Sequence, residues 1–124
     1  MHSPRHGFTA THYNSLIFLA GGRGNSSIEL FSPETHTFTK LAVSLPKSIN
    51  CSTAVCVDEG VLIFSGDNLY MYSIQDSLLD LGTIDYNVWW SICYSHRLMG
   101  LHGNNCTMWT WDMSQDDKAR VVKL

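Results

Sequence analysis

Short apolar runs separated by Gly, Pro, Asn, Asp and Ser recur along the whole chain, without the three-to-four spacing of an amphipathic helix. Alternating or wholly apolar runs of this length, bounded by turn residues, predict β-strands. Gly7–Tyr13 alternates and then turns at Asn14-Ser15, a suitable two-residue hairpin connection. Leu16–Gly22 is nearly continuous in apolar residues, as in a strand buried on both faces. Ile28–Ser32 and Thr37–Leu41 follow, joined by a turn at Pro33-Glu34-Thr35. The same order returns in Cys51–Val57, Val61–Gly66, Leu69–Ile74 and Ser77–Gly82, and again in Val88–Tyr94, Leu98–Gly103, Cys106–Met113 and Lys118–Leu124.

Gly22, Gly66 and Gly103 close the second strand of each group and lie 44 and 37 residues apart. Each is followed by an aromatic residue six to nine positions on: Phe31, Tyr72 and Trp111. Four strands per period of this size is the pattern of a β-propeller blade. Helical and leucine-rich repeats are excluded by the missing helix signals, and an immunoglobulin-like sandwich predicts no repeated glycine with an aromatic in phase. The expected fold is all-β, a propeller fragment of three four-stranded antiparallel blades over about 5–43, 49–83 and 87–124.

The first unit resembles a kelch repeat in particular residues. A kelch blade ends an apolar strand in a double glycine and continues to Tyr-Asp-Pro-x-Thr-x-x-Trp. Here Gly21-Gly22 matches, and Phe31-Ser32-Pro33-Glu34-Thr35-His36-Thr37-Phe38 matches in spacing, with aromatic for aromatic and serine for aspartate. Arg5 and Gly7 resemble the residues that open the innermost strand. The second unit keeps Ser65-Gly66 and Tyr72-Ser73 and puts Leu79 at the tryptophan position. The third has His102-Gly103 and Trp111-Asp112, with Lys118 at that place.

These matching residues are scaffold. Glycine admits backbone angles closed to other residues and lets chains approach closely. Aromatics fill the space between tilted sheets, and Pro33 presets the turn, which the Thr35 hydroxyl can cap. Gly21, Gly22, Phe31, Pro33, Phe38, Gly66, Tyr72, Gly103 and Trp111 are accordingly read as structural. Closed propellers have about four to eight blades. Three blades are therefore expected to be a fragment of a larger propeller, a degenerate gene product, or a subunit that must associate.

Composition excludes several classes of function. The formal charge of −3, with scattered lysines and arginines, argues against nucleic acid or an anionic membrane as partner. No apolar stretch is long enough for a membrane helix, and the first residues lack the layout of a signal peptide. Cys51, Cys56, Cys93 and Cys106 form no Cys-x-x-Cys pair and fall in strand patterns, so reduced buried thiols in the cytoplasm are expected. Asn25, Asn50 and Asn105 begin N-x-[ST] triplets, which are read as coincidental.

No set of residues promises catalysis or a cofactor. His102 and Cys106 straddle a turn without a zinc-like framework, and Gly21-Gly22-Arg23-Gly24 lacks the Lys-Ser/Thr of a phosphate loop. The chain is read as non-enzymatic, a protein-binding module whose partner is unknown. The kelch resemblance implies a recognition face built from loops between second and third strands and between blades. By position these are Arg23, Asn25, Asn68 and Asn104, and then Arg5, Lys47, Tyr86, Asn87 and Trp89. Arg and Lys would clamp an acidic segment, with Tyr86 and Trp89 as anchors. Many kelch proteins are substrate adaptors of ubiquitin ligases. The resemblance also implies an alternative, since copper oxidases, a sugar mutarotase and specifier proteins use similar propellers; a structural remnant is the third reading.

Overall fold

A computed structural model describes residues 1–2, 4–47, 53–58, 60–65, 68–73, 75, 77–83, 88–94, 97–102, 107–112 and 120–123, with side chains up to 82 and at Met99. The first blade is β1 (Thr9–Tyr13), β2 (Leu16–Ala20), β3 (Ser27–Ser32) and β4 (Thr37–Ser44). The second is β5 (Thr53–Val57), β6 (Gly60–Ser65), β7 (Asn68–Ser73) and β8 (Ser77–Thr83). The third is β9 (Val88–Tyr94), β10 (Arg97–His102), β11 (Thr107–Asp112) and β12 (Arg120–Lys123). Each group forms its own four-stranded antiparallel sheet with sequential neighbours paired.

Local chemistry sets the strand ends. Asn14 and Ser15 both take positive φ, 47° and 64°, the mirror-image turn that matches strand twist. The apolar run stops at Ala20, because Gly21 and Gly22 at φ 69° and 116° leave the extended region. At the Pro33 turn the Ser32 hydroxyl accepts the Thr35 N–H at 3.3 Å. The Thr35 hydroxyl instead meets Thr37 Oγ1 at 2.7 Å. The cap therefore comes from the residue standing where the kelch pattern has aspartate, and not from the threonine.

Register aligns the blades residue by residue. Tyr13↔Leu16, Val57↔Gly60 and Tyr94↔Arg97 are the equivalent closing pairs of the three first hairpins. Counting from them, Phe31, Tyr72 and Trp111 occupy one position, opposite Ile17, Val61 and Leu98. The expectation for the fourth strand needs correcting. Phe31 faces Phe38, but Tyr72 faces Leu78 and not Leu79. The connection between Ser73 and Ser77 is one residue shorter than that between Ser32 and Thr37. A one-residue slip exchanges the two faces of a strand. Leu78 accordingly packs on the core, while Leu79 is 52% exposed.

The main described core lies between the first two blades. Tyr13, Phe18, Ala20 and Ile28 from one sheet meet Ala54, Val61, Ile63, Tyr70 and Tyr72 from the next. Tyr72 sits 5.8 Å from Tyr13, edge to face, and 5.3 Å from Phe18. Aromatic burial of this kind contributes about 1.5–3 kcal/mol per side chain as transfer free energy.

Candidate functional site

The segment before β1 is held across the first blade by a buried ion pair. Glu29, in the middle of β3, shares a sheet face with Leu19 and Phe31, so its carboxylate points where a neighbouring blade would pack. An ionised group there requires a partner. Arg5 supplies it: Nε and Nη2 donate to Glu29 Oε2 at 3.0 and 2.7 Å. Nη1 donates to the carbonyls of Gly21 and Ser27 at 2.7 and 2.9 Å, and Nη2 also donates to Ser27 Oγ at 2.7 Å. All five guanidinium donors are thereby engaged. Both side chains are 0% exposed.

The His2 N–H donates to the other carboxylate oxygen at 2.7 Å, and His2 Nε2 donates to the Phe38 carbonyl at 2.9 Å. Burial pushes the Glu29 carboxyl up. The hydrogen bonds from His2 and Arg5 and their positive charge outweigh it, holding the group below the ordinary carboxylate value.

The glycine pair fits the same arrangement. A Cβ on Gly22 would lie 3.2 Å from the His6 carbonyl oxygen and 3.6 Å from the Arg5 Cβ, so the entering segment runs close against it. The Arg23 N–H donates to that His6 carbonyl at 2.9 Å. Asn25 Oδ1 accepts from the Ser27 N–H at 2.9 Å and from its hydroxyl at 2.7 Å. The Leu45 N–H donates to the Ser26 carbonyl at 2.8 Å. Residues 5–8, 21–26 and 45–47 thus form one hydrogen-bonded end of the blade.

The residues expected to bind a partner divide on this geometry. Arg23 and Lys47 are exposed at this end, as is His6, whose carbonyl accepts the Arg23 N–H. Asn25 is half-buried and holds the loop together. Arg5 leaves the set, because its guanidinium is fully engaged inside the chain. The sequence pattern made it a free loop cation; a lone glutamate on the interior parity of β3 was the signal that it has a fixed partner. Asn68 is half-buried in β7, paired with Ser65 and Thr83. Trp89 lies at a bulge of β9, where His102 pairs with Val88 and Leu101 with Trp90. The side chains of Trp89 and Trp111, and all of Gly66, Tyr86, Asn87, Gly103 and Asn104, lie outside the described residues, as do Cys51 and Cys106.

Among the described residues, no three His, Cys, Asp or Glu side chains group closely enough to hold a metal ion. No described helix is long and apolar enough to cross a membrane.

Residues 4–42 match the family model of the Kelch motif. The structure of YjhT superposes with a TM-score of 0.79 over 96% of this chain. At 11% identity this is a likeness of fold, and the chain spans about half of that protein, 52% of its length. No curated protein matches in sequence.

Proposed function

The chain carries a kelch repeat within a kelch-type propeller fold, and from that premise we propose that it is a protein-recognition module. Its contact surface is the blade end formed by residues 21–26 and 45–47. The observation that carries this reading is that two exposed cations, Arg23 and Lys47, stand on segments joined by the Leu45–Ser26 hydrogen bond. Two cations held on ordered loops suit an acidic peptide, with guanidinium taking a carboxylate bidentately and ammonium acting as a point charge. Such a contact speeds encounter and weakens with salt.

Fluorescence anisotropy with a labelled oligoglutamate peptide tests it. Binding is expected to fall with added salt and to be lost in Arg23→Glu/Lys47→Glu. Glu34→Lys, at the opposite end of the blade, should leave affinity within about twofold of wild type or raise it slightly through net charge. Peptide affinity insensitive to the Arg23 and Lys47 reversals would overturn the assignment.

A further inference from the structure

We propose that Ser32 is a phosphorylation site for a proline-directed protein kinase, and that its phosphate takes over the cap of the β3–β4 turn. The proposal does not depend on what Arg23 and Lys47 bind, because this turn lies at the opposite end of the blade.

Two of the three prolines follow a serine, in Ser3-Pro4 and Ser32-Pro33. Proline carries no N–H. A kinase cleft that offers no acceptor after the serine takes proline and penalises other residues, whose N–H it strands. Ser3 lies outside the described residues. Ser32 ends β3, and Pro33, Glu34, Thr35, His36 and Thr37 after it are all exposed. The contact of its hydroxyl with the Thr35 N–H is open to solvent and 3.3 Å long. Such bonds usually measure about 2.7–3.2 Å. The Ser32 oxygen is therefore within reach and only loosely engaged.

Register shows that this position takes an anion. Ser32 pairs with Thr37 next to the Phe31–Phe38 pair, and Ser73 pairs with Ser77 next to Tyr72 and Leu78. In the third blade the equivalent residue is Asp112, which follows Trp111 and pairs with Arg97 as Ser73 pairs with Gly60. One of the three equivalent residues is thus already acidic. A phosphoserine brings about −1.5 to −2 charges at neutral pH and three acceptor oxygens to the same place. One of them can take the Thr35 N–H in a shorter, charge-assisted bond. Glu34 opposes the added charge, but it is exposed and screened by salt. Ser73 supplies the contrast. It is followed by Ile74 instead of proline, and its hydroxyl meets Ser77 Oγ at 2.7 Å.

In the transfer, Ser32 Oγ attacks the γ-phosphorus of ATP and its proton passes to the catalytic base of the kinase. An O–P bond forms, and the bond to the β-phosphate oxygen breaks as ADP leaves.

Incubating the folded chain with ATP and a purified proline-directed kinase, then locating phosphate by mass spectrometry of its peptides, reads the outcome. Ser32 should carry phosphate and Ser73 none. Pro33→Ala keeps the hydroxyl and should slow incorporation at Ser32 by at least about tenfold, with the far-ultraviolet spectrum of wild type. A second readout needs no variant. In proton–nitrogen spectra of the phosphorylated wild-type chain, the Thr35 amide should move downfield. It should move further as pH rises through about 6, where the phosphate loses its second proton. No phosphate on Ser32, modification of Ser3 alone, labelling of Ser73 alongside Ser32, a smaller effect of Pro33→Ala, or a Thr35 amide that stays in place would each overturn the proposal.

Discussion

Arg5 and Glu29 stand 24 residues apart and meet through Nη2 and Oε2 at 2.7 Å, with neither side chain reaching solvent. The contact ties the segment entering the first blade to the blade's third strand. It also ties both to the glycine turn, because the same guanidinium holds the Gly21 and Ser27 carbonyls. Removing water from a charge is costly, and the complete set of donors on Arg5 is what makes the burial tolerable.

Arg5→Ala should destabilise the folded chain by about 3–5 kcal/mol, because it leaves the buried Glu29 carboxylate without its counter-charge, held only by the His2 N–H, and takes the guanidinium donor from the Gly21 carbonyl. The double variant Arg5→Ala/Glu29→Ala should cost less than the sum of the single changes, since no lone charge then remains. Urea unfolding followed by circular dichroism measures both.

Stability should fall with acid in a way that depends on Glu29. Its folded pKa lies below the ordinary 4.5, so the unfolded chain binds the proton more readily. The contribution is complete above about pH 4.5 and is lost as pH drops through the lower folded value. Glu29→Gln should flatten the slope of the unfolding midpoint as pH falls below about 4.5. An unchanged slope would remove Glu29 from the acid response.

Gly60→Ala should be far more damaging than Gly24→Ala. A Cβ at Gly60 would fall 1.9 Å from the Tyr72 carbonyl oxygen, inside the β6–β7 ladder. At Gly24 nothing lies within 4 Å, so only the positive φ of 74° opposes a side chain, at about 1–2 kcal/mol. Thermal melts of the two variants should differ in that order.

Cys56 should be a sluggish nucleophile in the native chain. Burial raises its thiol pKa, and the nearby Asp58 charge raises it further. Iodoacetamide near neutral pH should modify it more slowly in native protein than in urea, by mass spectrometry of its peptide. Equal rates would place the thiol in an open, unperturbed setting.

Much of the scaffold could be read directly from sequence. Strand alternation, turn residues and the spacing of Gly22, Gly66 and Gly103 depend on local periodicity, and the twelve expected strands appear in the expected order. The candidate site was less legible. Arg23 and Lys47 are exposed as loop composition suggested, but Arg5 is withdrawn by Glu29, a partner that only strand pairing brings near. Leu79 looked like the counterpart of Phe38 because counting residues assumes equal turns. The second blade's turn is one residue shorter, and Leu78 takes the place.

The order of apolar and turn residues, by itself, determined strands, blades and repeat, because each rests on neighbours a few positions apart. Tertiary structure alone decided which side of a strand faces a neighbouring blade, which cation is engaged, and why a side chain at Gly22 would crowd the entering segment. Those outcomes depend on register and on groups brought together from distant positions, as when the His6 carbonyl lies 3.2 Å from where a Gly22 Cβ would stand.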